Sequence, residues 1–385
     1  MTWISADEAL ERLGTKPQTL YANVSRGRIH AKPDPTNPRK SLYRLEDVMR
    51  LAQRHSGRRK AEAVAAEAIR WGDPILPSTI STVRNERLFY RGRDAILMSR
   101  DATLEDIAAL LWEASAPRTA IRAAGEAVCP SIAVAFTKLA SRVSHDLPSL
   151  GRSRSALVSE AWTVFHDVAD ALAPGKADQP MHLRLALAWD RPDAADALRR
   201  SLVLLADHEL NASAFASRVC ASSGSSLSAC VLCGLATLTG PRHGGAWHGV
   251  ANLLRTARSI GSAEAVKMVL QQAIAPAGFG HPLYPNGDPR AQSLLDNIPV
   301  PKIFAELRQI GEELIGEAVT VDFALMAMTA AYDLPEDAPL VIFALARVAG
   351  WLAHAMEQAQ TGQLIRPRAR YIGPDPENLS PASVT

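Results

Sequence analysis

Cysteine is scarce in this sequence, and long apolar runs are missing. Four cysteines occur in 385 residues, and they do not have the spacing of a disulfide framework or a zinc site. A secreted disulfide scaffold is therefore excluded, and a reducing, cytoplasmic compartment is expected. The first residues include Asp7 and Glu8 and contain no signal-peptide-like run, and no later segment approaches about eighteen uncharged apolar residues. We expect neither export nor a membrane-spanning helix.

Motifs for metals and nucleotides are also missing. Cys230 and Cys233 form a Cys-x-x-Cys pair, but they lie in an apolar helical run without a second ligand pair, so we interpret them as core residues. Gly244-Gly245 is too short for a phosphate-binding loop and follows no predicted strand. The sequence therefore predicts no metal site and no bound cofactor, and it argues against nucleotide hydrolysis.

The composition is that of an ordinary globular protein, but its charge is unevenly distributed. Hydrophobic residues make up 47% and charged residues 21%, and the net charge is +2. Residues 1–60 contain 13 Lys and Arg against 6 Asp and Glu, whereas the remaining chain has 29 against 34. The basic surplus therefore belongs to the N-terminal segment.

That segment predicts two short helices and a basic excursion. Ser5 with Glu8 caps a first helix that ends near Gly14, and Thr15 with Gln18 can cap a second one. A Pro-rich, basic stretch from 32 to 40 follows, with a turn at 34–38, and a third helix is expected from about Leu45. We place a domain boundary near residue 58, so that residues 1–57 form a separate module.

This module resembles the winged helix-turn-helix of excisionase and MerR-like DNA-binding domains. The resemblance implies that Gln18, Thr19 and Tyr21 enter the major groove. The side chains that would meet phosphates are Arg26, Arg28, Arg39, Lys40 and Arg44. DNA is thus the expected partner, and the alternative is a small helical module that docks on its own enzyme domain or on another protein.

Residues 58–385 predict an all-α body with one β-rich patch near 80–90. Helical patterns dominate after this patch, and strands and helices do not alternate as they do in a doubly wound sheet. Thr103 with Asp106 caps a helix from Leu104 to Glu113. Further helices are predicted at 119–142, 154–172, 192–206, 212–221, 227–238, 245–258, 262–273, 303–317, 322–332 and 338–360.

Three histidines stand in loops or at helix starts, where a side chain can project into a cleft. His208 lies in Asp-His-Glu-Leu-Asn, His243 in Gly-Pro-Arg-His-Gly-Gly-Ala, and His281 in Gly-Phe-Gly-His-Pro-Leu-Tyr. Arginines follow in otherwise apolar contexts, among them Arg347. A buried Arg needs an anionic partner, and several of them around one cleft suit a small di- or tricarboxylate. Asp322 would be available nearby as a base.

The order and spelling of these motifs resemble the citrate synthases from about Tyr90 to Tyr371. The resemblance implies a large and a small helical domain, with the small one at roughly 245–332. It places His243, His281 and Asp322 at catalytic positions. It places the following residues at substrate-binding positions: His208, Arg290, Arg347 and Arg366.

The implied reaction is condensation of acetyl-CoA with oxaloacetate, followed by hydrolysis of the citryl thioester. Asp322 would remove a proton from the acetyl methyl group, His243 would stabilise the enol, and His281 would polarise the ketone. The resemblance also implies a homodimer or a multiple of it, with Arg366 or Arg368 reaching the neighbouring site.

Two alternatives stay open. Trp247 stands where the family commonly has Asn, so a 2-methylcitrate synthase that uses propionyl-CoA is the first. The second is a DNA-binding regulator in which a synthase-like body senses a metabolite. His243, His281 and Asp322 weigh against this regulator, because sensing requires no carbanion-forming base.

Overall fold

The structure is a computed structural model, and its described residues form two compact units, Met1–Pro77 and Ser78–Thr385. The described residues are 3–13, 17–25, 28–34, 37, 40–49, 76–115, 129–176, 178–272, 276–369 and 371–373. The boundary predicted near residue 58 lies outside them, as do Gly14, Thr15, Arg26 and Arg39.

The first unit combines short helices with a three-stranded antiparallel sheet. Its elements are β1 (Trp3–Ile4), α1 (Ala6–Leu13), α2 (Pro17–Ser25), β2 (Ala31–Pro33), β3 (Ser41–Arg44) and α3 (45–49). The predicted Ser5–Glu8 cap is confirmed, because the Ser5 N–H donates to Glu8 Oε2 and the Glu8 N–H donates to Ser5 Oγ. The strand order is β1-β3-β2, so the basic excursion forms a hairpin. A separate core includes Ile4, Leu20 and Tyr43.

The second unit begins with the predicted β-rich patch. Strands β4 (Ser81–Arg84), β5 (Arg87–Tyr90) and β6 (Arg93–Asp94) form an antiparallel sheet in chain order. Asn85 and Glu86 occupy the tight β4–β5 turn with positive φ angles. The sheet is followed by α4 (Ala95–Met98) and α5 (Leu104–Leu111), where the Thr103–Asp106 capping box is present as predicted.

Helices make up the rest of this unit. They are α6 (Ile132–Val143), α7 (Arg154–Leu172), α8 (Met181–Ala188), α9 (Ala195–Leu205), α10 (Ala212–Ser222), α11 (Leu227–Leu238), α12 (Trp247–Ile260), α13 (Ser262–Gln271), α14 (Pro289–Leu295), α15 (Lys302–Ile315), α16 (Val321–Ala331) and α17 (Ala338–Thr361). The predictions for α7 and α11 match to the residue. The prediction at 119–142 extends into residues that are not described, and α8 and α14 had no predicted counterpart.

Helix α17 lies at the centre of the unit. It packs against α5, α7, α9, α10, α11 and α16. By length and composition it is the helix among the described residues that could cross a membrane, but 94% of its most apolar window is buried inside the protein. A buried central helix meets the same criteria, so this finding does not indicate a membrane protein.

Helices α12 to α16 form a second group. Helix α12 packs against α13, α15 and α16, and α14 packs against α16. These helices fall within the segment predicted as a small subdomain, 245–332. The division into a large and a small subdomain stays a prediction.

Candidate active site

A buried carboxylate joins the start of α14 to the start of α16. Asp288 accepts hydrogen bonds from Arg290 Nε at 2.9 Å and from Arg290 Nη2 at 2.8 Å. It also accepts one from the backbone N–H of Val321 at 3.1 Å. Burial alone would raise the pKa of Asp288, but the Arg290 guanidinium outweighs burial and lowers it. Asp288 therefore stays ionised and fixes both Arg290 and the first turn of α16.

Asp322, the second residue of α16, is a carboxylate with an unusual pKa. Burial raises the pKa of Asp322 to about 6, the Arg290 charge opposes this, and the Asp288 charge reinforces it. A carboxylate with a pKa near neutrality is a stronger base than an exposed aspartate and is still ionised at pH 7.

Two histidines and a tyrosine meet beside Arg290. The rings of His208 and His281 are 5.5 Å apart, and His208 Nε2 hydrogen-bonds the Tyr284 hydroxyl at 2.8 Å. The Leu283 N–H donates to His281 Nδ1 at 3.2 Å, so in the neutral ring Nε2 carries the hydrogen. Burial and the Arg290 charge lower the pKa of His281 to about 4. At neutral pH His281 is therefore an uncharged Nε2–H donor.

His243 is held by a buried serine in the first turn of α10. His243 Nε2 and Ser213 Oγ lie 2.9 Å apart, and Ser213 also accepts a hydrogen bond from Trp351 Nε1 at 3.1 Å. Ser213 is 0% exposed, and its hydroxyl donates a hydrogen bond to Asn211 Oδ1 at 2.7 Å. Burial and the Arg347 charge lower the pKa of His243 to about 4, so this ring is neutral as well.

Arg347 enters the same cluster from the middle of α17. Its Nε donates to the Leu205 carbonyl at 2.9 Å, and its Nη1 is buried with no hydrogen-bond partner among the described residues. The side chain is 2% exposed. A buried guanidinium with an unused donor is a site for an anion, because the desolvated charge is costly unless it is paired.

The structure brings together six of the seven residues predicted for the site. The charges of Arg290 and Arg347 alter the pKa values of His208 and Asp322, and Arg347 also alters that of His243. The seventh residue, Arg366, is exposed, as is Arg368, and neither is among the charges that alter these pKa values.

Sequence reasoning gave no role to several residues that organise the cluster. They are Ser213, Tyr284 and Asp288. Tyr284 lies inside the motif quoted around His281, and Asp288 stands two residues before the predicted Arg290, so their positions were usable signals. Ser213 lies 30 residues before His243, and no local spacing connects the two.

This arrangement defines a class of enzyme. Two buried guanidinium groups suit a small dicarboxylate. Two neutral imidazoles can donate hydrogen bonds to oxygens that gain negative charge, and a carboxylate with a raised pKa can accept a proton. Together these groups suit carbon–carbon bond formation through an enol next to a carbonyl compound.

Comparisons with known proteins agree with this class. The family model "Citrate synthase, C-terminal domain" matches residues 156–368. Citrate synthase 2 of Bacillus subtilis is 30% identical over 353 residues, which cover 79% of this chain and 95% of the relative. The 2-methylcitrate synthase of Shewanella oneidensis is 33% identical over 192 residues, which cover 47% of this chain and 51% of the relative.

Solved structures show the same fold. The citrate synthase of Thermotoga maritima has a TM-score of 0.65 and 26% identity, with 80% of this chain and 96% of that chain covered. The citrate synthase of Thermoplasma acidophilum, solved with carboxymethyl coenzyme A and oxaloacetate, has a TM-score of 0.64, with 80% and 96% covered. At 21% identity the second likeness concerns the fold alone. The chain belongs to the citrate synthase family, and the predicted mostly helical fold of that family is confirmed.

Proposed function

We propose that the chain condenses acetyl-CoA with oxaloacetate and hydrolyses the citryl thioester to citrate and CoA. Family membership and the relatives named above support this function. The observation that carries it is Asp322, whose pKa is raised to about 6 by burial beside Arg290 and Arg347. The reaction needs no cofactor beyond its two substrates.

The three catalytic roles follow from the chemistry of each group. Asp322 would accept a proton from the acetyl methyl group of acetyl-CoA. His243 would donate a hydrogen bond from Nδ1 to the thioester oxygen as the enol forms. This tautomer requires Ser213 to turn its hydroxyl hydrogen from Asn211 Oδ1 to His243 Nε2. His281, whose Nε2 carries the hydrogen, would polarise the ketone of oxaloacetate. Attack of the enol carbon on that ketone forms the new bond.

The carboxylates of oxaloacetate would bind to Arg290 and Arg347. The unpartnered Nη1 of Arg347 supports this assignment. Arg290 already binds Asp288 through Nε and Nη2, so Nη1 is the donor that it would offer to the substrate. His208 is 7% exposed and is kept neutral by burial and by both arginines, which lower its pKa. It would contribute a neutral hydrogen bond to the same substrate.

Release of the CoA thiol tests the function. Purified protein is given oxaloacetate with acetyl-CoA, and thiol release is followed with and without oxaloacetate. Oxaloacetate-dependent release and citrate in the product mixture are expected. No release with either acetyl-CoA or propionyl-CoA would overturn the proposal and favour the metabolite-sensing regulator.

2-Methylcitrate synthesis from propionyl-CoA is a second candidate activity. The similarity to the Shewanella oneidensis enzyme favours it. The departure at Trp247 favours it too, because this buried indole is the first residue of α12 and follows His243 by four residues. The ratio of kcat/KM for propionyl-CoA to that for acetyl-CoA decides between the two donors. A ratio above one would assign 2-methylcitrate synthesis.

A homodimer, with the small subdomain closing over substrate, is the proposed working form. One protomer exposes large apolar side chains on and after α6, namely Val134, Val143, Leu147 and Leu150. The exposure of four large apolar side chains within 17 residues of sequence supports contact with a second copy. The exposure of Arg366 and Arg368 supports the proposal that one of them completes the partner subunit's site.

Complementation between inactive variants tests this dimer. Asp322→Asn and Arg366→Ala chains, each with low activity alone, are co-expressed with different tags and purified as mixed dimers. Recovery of a large part of one site's activity is expected, because one mixed site would contain both Asp322 and Arg366. A monomer in solution, or mixed dimers as inactive as their parents, would contradict the proposal. The same experiment with Arg368→Ala in place of Arg366→Ala shows which of the two arginines completes the site.

The N-terminal unit is proposed to be a winged helix-turn-helix that binds DNA. Helix α2 exposes Gln18, Thr19 and Tyr21, and Tyr21 is 58% exposed. The β2–β3 hairpin exposes Lys40. Arg44 is already bonded to Glu46 by Nε at 3.1 Å and Nη2 at 2.7 Å, which weakens its case as a phosphate contact.

Duplex binding at several salt concentrations tests this proposal. Affinity for a mixed-sequence duplex should fall steeply as the salt concentration rises. The double variant Arg28→Ala and Lys40→Ala should bind more weakly, and its log affinity should depend less steeply on log salt concentration. Lys302→Ala, at a side chain 92% exposed in the other unit, should change neither. No binding at low salt would favour a module that docks on protein. We also propose a cytoplasmic location.

A further inference from the structure

The β4–β5 hairpin contacts the chain segment that carries His208. Glu209 Oε1 accepts hydrogen bonds from the Val83 N–H at 2.7 Å and from the Thr82 hydroxyl at 3.1 Å. The Glu209 N–H donates to Ser81 Oγ at 2.9 Å. Three residues of strand β4 therefore fix the residue that follows His208.

The same hairpin contacts the loop that carries His281. Glu86, in the β4–β5 turn, accepts a hydrogen bond at Oε2 from the Asn286 N–H at 3.0 Å and one at Oε1 from Asn286 Nδ2 at 2.5 Å. The two residues are 200 positions apart in the chain. Both carboxylate oxygens of Glu86 thus bind one residue of the loop, and the hairpin connects the two histidine segments.

The backbone of this turn is unfavourable for glutamate. Asn85 and Glu86 are the two residues between the paired strands, and their φ angles are 49° and 58°. A two-residue turn with both φ angles positive prefers Asn-Gly, so glutamate stands where glycine would be less strained. Strain of this kind persists where the surrounding structure fixes it, and it is concentrated at functional sites. The two hydrogen bonds to Asn286 are a contact that glycine could not make.

Two successive turns connect Asn286 to His281. The Gly287 N–H donates to the Tyr284 carbonyl at 3.0 Å, and the Tyr284 N–H donates to the His281 carbonyl at 2.8 Å. The Tyr284 hydroxyl lies 2.8 Å from His208 Nε2, so the same turns reach the second histidine. A shift of Asn286 would therefore move His281 relative to His208.

We propose that Glu86 is a positioning residue that holds His281 at its distance from His208 before oxaloacetate binds. This role rests on the function proposed above, in which His281 polarises the ketone and His208 binds the same substrate. Without the Glu86 contact, the loop would occupy its binding-competent position for only part of the time, and the apparent affinity would fall by that fraction. Saturating oxaloacetate restores the position, so turnover is largely kept.

Replacing Glu86 by Ala in the full-length protein separates this role from a merely structural one. KM for oxaloacetate should rise about five- to tenfold, as expected for one lost pair of hydrogen bonds, while kcat stays within about threefold. A variant that had only lost folded protein would show the opposite, a lower kcat at unchanged KM.

Two further variants complete the kinetic comparison. Glu86→Gln should bring KM back close to that of the parent, because its carbonyl oxygen can accept from the Asn286 N–H and its amide can donate to Asn286 Oδ1. Glu313→Ala removes an exposed carboxylate from α15 and should change neither KM nor kcat.

Hydrogen exchange of the unliganded protein tests the contact without an assay of activity. The amides of residues 281–288 should exchange faster in Glu86→Ala than in the parent or in Glu86→Gln. If Glu86→Ala does not fold, Asn286→Ala, which loses the Nδ2 bond alone, should raise KM and the exchange rate by a smaller factor. Unchanged exchange, or a fall in kcat at unchanged KM, would overturn the proposal. Faster exchange in a protein that releases no CoA would overturn the proposed function while supporting the contact that positions the loop.

Discussion

At the scale of the single residue, opposing effects set the pKa of Asp322. Burial disfavours its charged form, while Arg290 and Arg347 favour it, and the balance is a pKa of about 6. The imidazoles of His243 and His281 have their pKa values lowered to about 4 by burial first and by neighbouring arginines second. As the pH falls from neutrality, Asp322 therefore takes up a proton before either histidine does.

This difference predicts the acid limb of the pH profile. A base must be ionised, so kcat/KM should rise with pH through a midpoint near 6 and level off above it. The histidines lose their neutral form only near pH 4, so the limb should follow a single ionisation between pH 5 and 7. Steady-state rates at limiting oxaloacetate and saturating acyl-CoA measure this profile, because kcat/KM for oxaloacetate reports the ionisation of the protein without bound oxaloacetate. A midpoint below 5 would remove Asp322 as the titrating base.

Replacing Asp322 by Asn predicts a loss of turnover with little loss of binding. Asn keeps the size of the side chain but cannot accept the proton, so kcat should fall about 10²–10⁴-fold. The dissociation constant of oxaloacetate, measured by calorimetry, should change little because Arg290 and Arg347 remain. The matched control is Glu336→Gln at an exposed carboxylate, which should keep full turnover. Wild-type turnover in Asp322→Asn would exclude it from the mechanism.

At the scale of secondary-structure elements, the packing of α11 on α17 supports the site. Gly234 of α11 lies against the Trp351 indole of α17, and a Cβ at Gly234 would come within 2.6 Å of the ring. The same indole donates its Nε1 hydrogen to Ser213, which holds His243. The contact between the two helices therefore extends to His243, a side chain proposed for catalysis.

Gly234→Ala should reduce stability and activity together. The added methyl group forces the indole to move, which costs about 1–3 kcal/mol for an overpacked core, and the Ser213–His243 hydrogen bond should weaken. Chemical denaturation and CoA release measure the two effects. Gly240→Ala is the control, since its new methyl would meet its nearest neighbour at 3.4 Å. If the two variants behave alike, the contact has no such role.

The same scale shows what local sequence could reveal. Helices with side-chain caps, such as α5 after Thr103 and α7 after Ser153, had clear start signals. Helix α8 has no side-chain cap, and α14 has only seven residues, so neither was predicted. The histidine, arginine and aspartate positions followed from motif resemblance. The Ser213–His243 pair did not, because contacts between distant segments are set by packing.

At the scale of the whole molecule, the chain divides into units with separate cores. The core of the first unit is small and includes Ile4, Leu20 and Tyr43. The second unit has its own core around α17, and it contains all the residues proposed for catalysis. The two units are therefore expected to have separable activities.

Deletion of residues 1–77 should leave a folded, active enzyme without DNA affinity. The remaining chain keeps its core and its site, so kcat with acetyl-CoA or propionyl-CoA should stay within about threefold of the parent, a change below 1 kcal/mol. Circular dichroism, thiol release and duplex binding measure the outcome. An unfolded or inactive truncation would show that the first unit is needed for the fold of the second.

The pair of buried arginines couples the binding of a dicarboxylate to the protonation of Asp322. Arg290 and Arg347 help to keep Asp322 ionised in the unliganded protein. A dicarboxylate that binds to both guanidinium groups cancels this help, so the affinity of Asp322 for a proton must rise on binding. Near pH 6 the first substrate would therefore carry a proton from the buffer into the site, and its heat of binding would vary with the ionisation enthalpy of the buffer. The proton affinity of Asp322 is in this way coupled to the binding of oxaloacetate, the molecule that the proposed enol would attack.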